Sequence, residues 1–130
     1  MMITAHNIEA DLIMELFAGG VSLLLESGCD VGTIMFGIGA EDDDLWRTKE
    51  IQLVNLYSLV KRKVDEATFK PGYCDLFIRW RDCEFTICND TGVHFVTDRN
   101  EQLYEKFADF LTEEGLKVSF SNEVRFMLEN

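Results

Sequence analysis

Basic residues are absent from the first third of this chain. Between Met1 and Trp46 there is no lysine or arginine, although the whole chain has 12 basic and 24 acidic side chains and a formal net charge of −12. The carboxylates of this segment are Glu9, Asp11, Glu15, Glu26, Asp30, Glu41, Asp42, Asp43 and Asp44. Charge segregated in this way creates a negative surface field that attracts basic partners. It disfavours direct nucleic-acid binding, which needs basic side chains to displace counterions from phosphates.

Other features are missing as well, and each excludes a class of protein. No apolar run approaches the roughly 20 residues that a membrane-spanning helix needs, and the N-terminus lacks the cationic segment of a secretory signal. We therefore expect a cytoplasmic protein with no membrane partner and with reduced thiols, because disulfides are typical of exported chains. The hydrophobic content of 47% favours a buried core over intrinsic disorder. A chain of 130 residues predicts a single domain over residues 1–130.

Three segments have the apolar spacing of amphipathic helices. They are residues 7–28, 44–66 and 98–115, and each begins near a side chain suited to capping a helix. The first is interrupted by Gly19-Gly20, and glycine disfavours a helix interior by about 1 kcal/mol per residue relative to alanine. This pair is compatible with a kink, a break between two short helices, or a close approach to a neighbouring backbone.

Between and after these helices the apolar spacing becomes that of strands. Residues 33–38 form a short apolar run bounded by glycines, and residues 73–97 contain three alternating runs separated by hairpin-length turns. A last strand, or an interrupted strand pair, is predicted within residues 118–128. The order α-β-α-β-β-β-α-β predicts an α+β domain in which about three helices pack on a largely antiparallel sheet, made of the meander plus N-terminal and C-terminal strands.

The densest charged feature is the run Glu41-Asp42-Asp43-Asp44. It is compatible with a solvated helix N-terminus, a surface for a basic partner, or a divalent-cation site. An EF-hand is excluded, because the alternating oxygen ligands, the central glycine and the closing glutamate are not arranged here.

Cysteine and histidine offer little for catalysis or metal binding. The four cysteines, at positions 29, 74, 83 and 88, include no C-x-x-C pair, which disfavours a structural zinc site. A Cys88–His94 pair could meet across a hairpin, but no nearby residue is placed to orient the imidazole. We expect no cofactor, no metal and no catalytic site.

The first strand of the predicted meander alternates in an unusual way. Phe77, Arg79 and Arg81 share one face, and Asp75 and Glu84 lie close enough to predict cross-strand ion pairs. Phe77 on this polar face is explained either by a covering element or by a partner surface.

Together these patterns favour a small acidic protein that neutralises or inhibits a basic partner, such as a toxin or a nucleic-acid-processing enzyme. Toxin-neutralising immunity proteins and phage-encoded nuclease inhibitors, some of which imitate nucleic acid, share this size and charge, an analogy that does not extend to any family. The predicted partner-binding residues are Glu9, Asp11, Glu15, Glu41, Asp42, Asp43, Asp44, Trp46 and Phe77. The alternatives are a self-associating structural or adaptor subunit, such as a homodimer through the Gly19-Gly20 helix or the last strand, and a small enzyme using Cys88 and His94.

Overall fold

The computed structural model describes residues 1–128, which form a seven-stranded antiparallel sheet with three helices on one face. The strands are β1 (Met2–Ala5), β2 (Val31–Phe36), β3 (Thr48–Gln52), β4 (Leu76–Trp80), β5 (Cys83–Ile87), β6 (Val93–Thr97) and β7 (Val118–Ser121). The helices are α1 (Ala10–Glu26), α2 (Leu56–Asp65) and α3 (Glu101–Glu113). The strand order is β3-β2-β4-β5-β6-β1-β7, and every neighbouring pair is antiparallel. The predicted α+β class, the three helices and the meander are confirmed.

The segment predicted as a helix over 44–66 is helical only in its second half. Residues 48–52 instead form β3, which pairs with β2 at one edge of the sheet, and a single 3-10 turn leads from it into α2. The seven-residue spacing of Trp46 and Leu53 imitates a helical stripe, but Leu53 is buried whereas Trp46 lies in a loop with 49% of its surface exposed. Pairing with β2 therefore overrides the local helical pattern.

Two further features differ from the prediction: an additional strand at the start of the chain and the end of the last strand. β1 lies between β6 and β7 in the sheet, and its four residues are too few to show a strand pattern on their own. At the other end of the chain, β7 stops at Ser121, and residues 122–128, here called the C-terminal segment, continue without forming a strand.

The glycine pair in α1 allows close packing and does not interrupt the helix. A Cβ atom built on Gly20 would lie 2.4 Å from the Phe85 ring of β5, and one on Gly19 would lie 2.4 Å from the Phe110 ring of α3. In the same core, the Phe107 ring of α3 stacks on the Phe95 ring of β6, with 4.1 Å between centroids. The absence of side chains at both glycines thus brings α1 against the sheet and against α3.

The C-terminal segment crosses the second face of the sheet, opposite the helices. The Glu84 carboxylate accepts hydrogen bonds from the backbone N–H groups of Met127 and Leu128, each at 2.9 Å. Arg79 Nη1 donates to the Leu128 carbonyl at 2.9 Å, and its guanidinium lies 3.5 Å from the centroid of the Phe126 ring. The prediction of a cross-strand ion pair is corrected here. Arg79 and Glu84 are opposite in register, but each of them forms hydrogen bonds with the C-terminal segment.

Candidate functional site

One end of the sheet gathers the acidic segments that are far apart in sequence. We call it the acidic end; it consists of the loops 6–9, 37–47, 66–75, 88–92 and 114–117. These loops touch one another, since the Thr91 N–H donates to the Gly72 carbonyl at 3.0 Å and the Asp75 N–H donates to the Ile38 carbonyl at 2.9 Å. A Cβ on Gly72 would lie 3.6 Å from that of Ala10, so the first turn of α1 belongs to the same end.

The acidic end has three times as many acidic as basic side chains. Its nine acids are Glu9, Glu41, Asp42, Asp43, Asp44, Glu66, Asp75, Asp90 and Glu114, and its three bases are Arg47, Lys70 and Lys117. Asp11 and Glu15 add two more exposed carboxylates on α1, one turn apart. Within residues 1–128, the carboxylates of Glu9, Glu41 and Asp42 take part in no hydrogen bond or ion pair, and the same holds for Asp43.

Trp46 lies beside the acidic run in a constrained conformation. Its backbone has a φ of +58°, its N–H donates to the Phe36 carbonyl at 2.8 Å, and its ring lies 2.9 Å from the Cβ position of Gly37. A left-handed conformation is unfavourable for a bulky residue, and such strain is concentrated at functional sites. Two more apolar side chains in the loops of the acidic end are exposed, Ile38 at 54% and Tyr73 at 50%.

Two interactions fix the loop that carries Ile38 and Trp46. Lys63 Nζ bonds Asp44 Oδ2 at 2.6 Å, which ties the acidic run to the end of α2. The buried Asp75 carboxylate accepts the Ile38 N–H through Oδ2 at 3.1 Å and the Asn89 N–H through Oδ1 at 2.7 Å. The loop is therefore held by Asp44 and Asp75, while the outer carboxylates point to solvent.

Most of the predicted partner-binding residues meet at this end, but Phe77 does not. Its side chain is 6% exposed and packs with Met35 and Leu128 under the C-terminal segment, so the covering-element explanation applies and Phe77 is not a surface residue. Ile38 and Tyr73 were missed. Two sequence features could have indicated that they are exposed. Ile38 is an apolar residue between two glycines, and Tyr73 directly follows the Pro71-Gly72 turn.

The predicted Cys88–His94 pair lies on the second face of the sheet, where both residues line a cavity of about 350 Å³. Burial, followed by the nearby Asp90 and Asp75 carboxylates, raises the pKa of the Cys88 thiol, and burial lowers the pKa of His94. His94 Nδ1 lies 3.2 Å from the Thr4 hydroxyl. A thiol kept protonated at neutral pH is a poor nucleophile, so this geometry provides no activated cysteine.

In residues 1–128, no group of three or more histidine, cysteine or acidic side chains could hold a metal ion. All four cysteines are free thiols. None of the helices in that range combines the length and apolar character required to cross a bilayer.

No family model, curated protein or solved structure matches this chain.

Proposed function

We propose that this protein binds a basic protein partner through its acidic end and thereby neutralises or inhibits it. The observation that carries the proposal is the set of solvent-facing carboxylates around a constrained, half-exposed tryptophan. The carboxylates without partners contribute nothing to the hydrogen bonding of the fold, whereas Asp44 and Asp75 do. Retaining unpaired like charges at the same end as exposed apolar side chains suits the recognition of an oppositely charged surface.

The two parts of this surface have different roles in binding. The carboxylates accelerate encounter with a basic partner, an effect that is screened as ionic strength rises. Trp46, together with Ile38 and Tyr73 at the same end of the sheet, provides the desolvated contact that slows dissociation, as tryptophan and tyrosine commonly do at the centres of interfaces. A toxin or a nucleic-acid-processing enzyme in the cytoplasm is the class of partner that fits, because carboxylates can occupy the positions of phosphates.

The test is capture from a lysate of the native host with two charge-matched variants as bait. One variant is Glu41→Gln/Asp42→Asn/Asp43→Asn at the acidic end, and the control is Glu105→Gln/Asp109→Asn/Glu113→Gln on the exposed face of α3. Both lose three negative charges, so net charge alone cannot separate them. We expect one basic protein to be retained by the wild type and the control at low salt, and lost with the first variant. Equal loss with both variants, or retention by both, would contradict the proposal.

A second candidate function, self-association, is favoured by one observation at the β7 edge. The opposite edge strand, β3, has charged side chains at Lys49 and Glu50, which discourage edge-to-edge pairing. β7 has the sequence Val-Ser-Phe-Ser, has no charge, and leaves Phe120 58% exposed. Pairing of two β7 edges would extend the sheet across a dimer. Light scattering across a concentration series tests this: a dimer that Phe120→Lys abolishes supports it, and a monomer at all concentrations refutes it.

A further inference from the structure

The cavity on the second face of the sheet has the features of a small ligand site. Its volume of about 350 Å³ is at the lower end of the range typical of small-molecule sites. Strands β4, β5 and β6 supply its floor, and the C-terminal segment supplies one wall through Glu123, Arg125 and Met127. It opens next to the acidic end but is separate from the Trp46 loop.

A hydroxyl without a partner in the described chain lies in the floor of this cavity. Thr86, at the centre of β5, is 5% exposed and lines the cavity. Within residues 1–128 its hydroxyl makes no hydrogen bond. The oxygen of this hydroxyl is accessible from the cavity, and a hydroxyl oxygen can accept a hydrogen bond. A donor on a ligand that enters the cavity can therefore bond to Thr86.

The charges around the cavity favour a cation. Asp75 and Glu84, 7% and 2% exposed, line it together with the exposed Asp90. The oxygens of the two buried carboxylates accept backbone N–H groups, and a carboxylate oxygen can accept more than one donor. Two basic residues also line the cavity: Arg125, which is exposed on the C-terminal segment, and His94, whose pKa is lowered by burial.

The remaining lining of the cavity is apolar. Phe77 and Val96 form part of the floor, and the side chains of Met2 and Met127 lie beside them. An aliphatic chain would be desolvated against these groups while a charged head reached the carboxylates, in the way that lysine and arginine stems pack on apolar surfaces.

We propose that this cavity binds a compact organic cation, namely an alkylguanidinium or alkylammonium group. The cationic head donates to the Thr86 hydroxyl and lies in the field of the carboxylates, and its alkyl stem packs on Phe77 and Val96. Such a group can belong to an arginine or lysine side chain of a protein or to a free amine. The proposal does not depend on the partner bound at the acidic end.

The test is a titration of the full 130-residue chain with n-butylguanidinium, followed by NMR. Neutral n-butylurea, nearly the same shape, is the control ligand. We expect saturable shifts centred on Thr86, His94 and Val96 with n-butylguanidinium and none with n-butylurea. Thr86→Val keeps the shape of the side chain and should weaken binding about 2- to 10-fold, the loss of one hydrogen bond. Thr48→Val, on the exposed edge strand β3, should leave binding unchanged.

Further variants and ligands sharpen the result. Arg125→Gln removes the chain's own cation from the wall and should strengthen binding. If N-acetyl-arginine amide binds as tightly as n-butylguanidinium, the site is assigned to a protein side chain. If N-acetyl-arginine amide does not bind, the site is assigned to a free amine. Absence of saturable binding, equal binding of n-butylurea, or an unaffected Thr86→Val variant would overturn the proposal.

Discussion

The two ends of the sheet are built from the same strands but use their carboxylates differently. At the end opposite the acidic end, the acids form turns: Asp30 Oδ1 accepts the Val31 N–H at 2.8 Å, and Asp82 Oδ2 accepts the Arg99 N–H at 3.0 Å. Bases accompany them there, and Asp98 lies 3.7 Å from Arg99. At the acidic end only a minority of the acids take part in the fold.

This difference separates structural acids from acids available for recognition. A carboxylate that accepts backbone donors stabilises a turn and needs no external partner, since its hydrogen bonds are already made. An exposed acid among other acids is repelled by its neighbours and contributes nothing comparable to the fold. The excess at the acidic end is therefore explained by binding or by solubility, and the Trp46 conformation favours binding.

The largest effect on stability is expected from Asp75→Ala, which removes one of the two acids that hold the loop at the acidic end. The N–H groups of Ile38 and Asn89 lose their acceptor at a partly buried position, and each lost hydrogen bond to the carboxylate destabilises by about 1–3 kcal/mol. Urea unfolding followed by tryptophan fluorescence measures the loss. A loss below about 0.5 kcal/mol would show that Asp75 does not hold the loop.

A smaller loss, about 1–2 kcal/mol, is expected from Asp82→Ala at the opposite end. This variant removes the acceptor of the Arg99 N–H and of the Thr97 hydroxyl, but the turn is partly exposed, so water replaces part of the lost bonding. The same unfolding assay measures it. Asp98→Ala is the control in the same turn and should have little effect, because an exposed ion pair contributes little.

Glu84 is a buried acid with a structural role, and the pH dependence of stability tests that role. Burial raises its pKa above the usual value of 4.5, although the N–H groups of Met127 and Leu128 and the charge of Arg79 oppose the shift. A raised pKa in the folded state means that Glu84 contributes most to stability below its unfolded pKa and that this contribution is lost as the pH rises through the folded pKa. The stability of Glu84→Gln relative to the wild type should therefore rise between about pH 4 and pH 7. A difference that does not vary with pH would contradict this.

The smallest effect on stability is expected from Glu41→Gln/Asp42→Asn/Asp43→Asn. Because these side chains have no partner in the described chain, the free energy of unfolding should stay within about 0.5 kcal/mol of the wild type, with a small gain from reduced repulsion at low salt. Unfolding at 50 and 500 mM salt measures both. A loss of more than 1 kcal/mol would make these acids structural, and the comparison between the two ends would fail.

The parts of the fold that the sequence predicts are those encoded locally. The meander over 73–97 is marked by a two-residue alternation and by turn residues between strands, and α1 by its apolar spacing. β1 and β3 were missed because their ladders join segments far apart in the chain, such as Ile3 with Phe95 and Lys49 with Ile34. Pairing of this kind leaves no local pattern in a strand of four or five residues.

The residues of the site also divide into those that local sequence predicts and those that only the fold brings together. Composition alone identifies the acidic run, but only the antiparallel topology brings the start of α1 to the same end as Glu41–Asp44. Phe77 was misplaced because the C-terminal segment that covers it is about 50 residues further along the chain. The Thr86 cavity has no sequence signal, since a threonine in a strand is ordinary and its unpartnered hydroxyl is visible only in three dimensions.

The most direct test of the central claim is the affinity of the captured basic partner for three proteins at 50 and 500 mM salt: the wild type, the acidic-end triple variant and the α3 triple variant. We expect the wild type and the α3 variant to bind with similar affinity at 50 mM salt and to lose that affinity steeply at 500 mM, and the acidic-end variant to bind weakly at both. The proposal would be contradicted if both triple variants lost affinity equally, or if the affinity did not respond to salt.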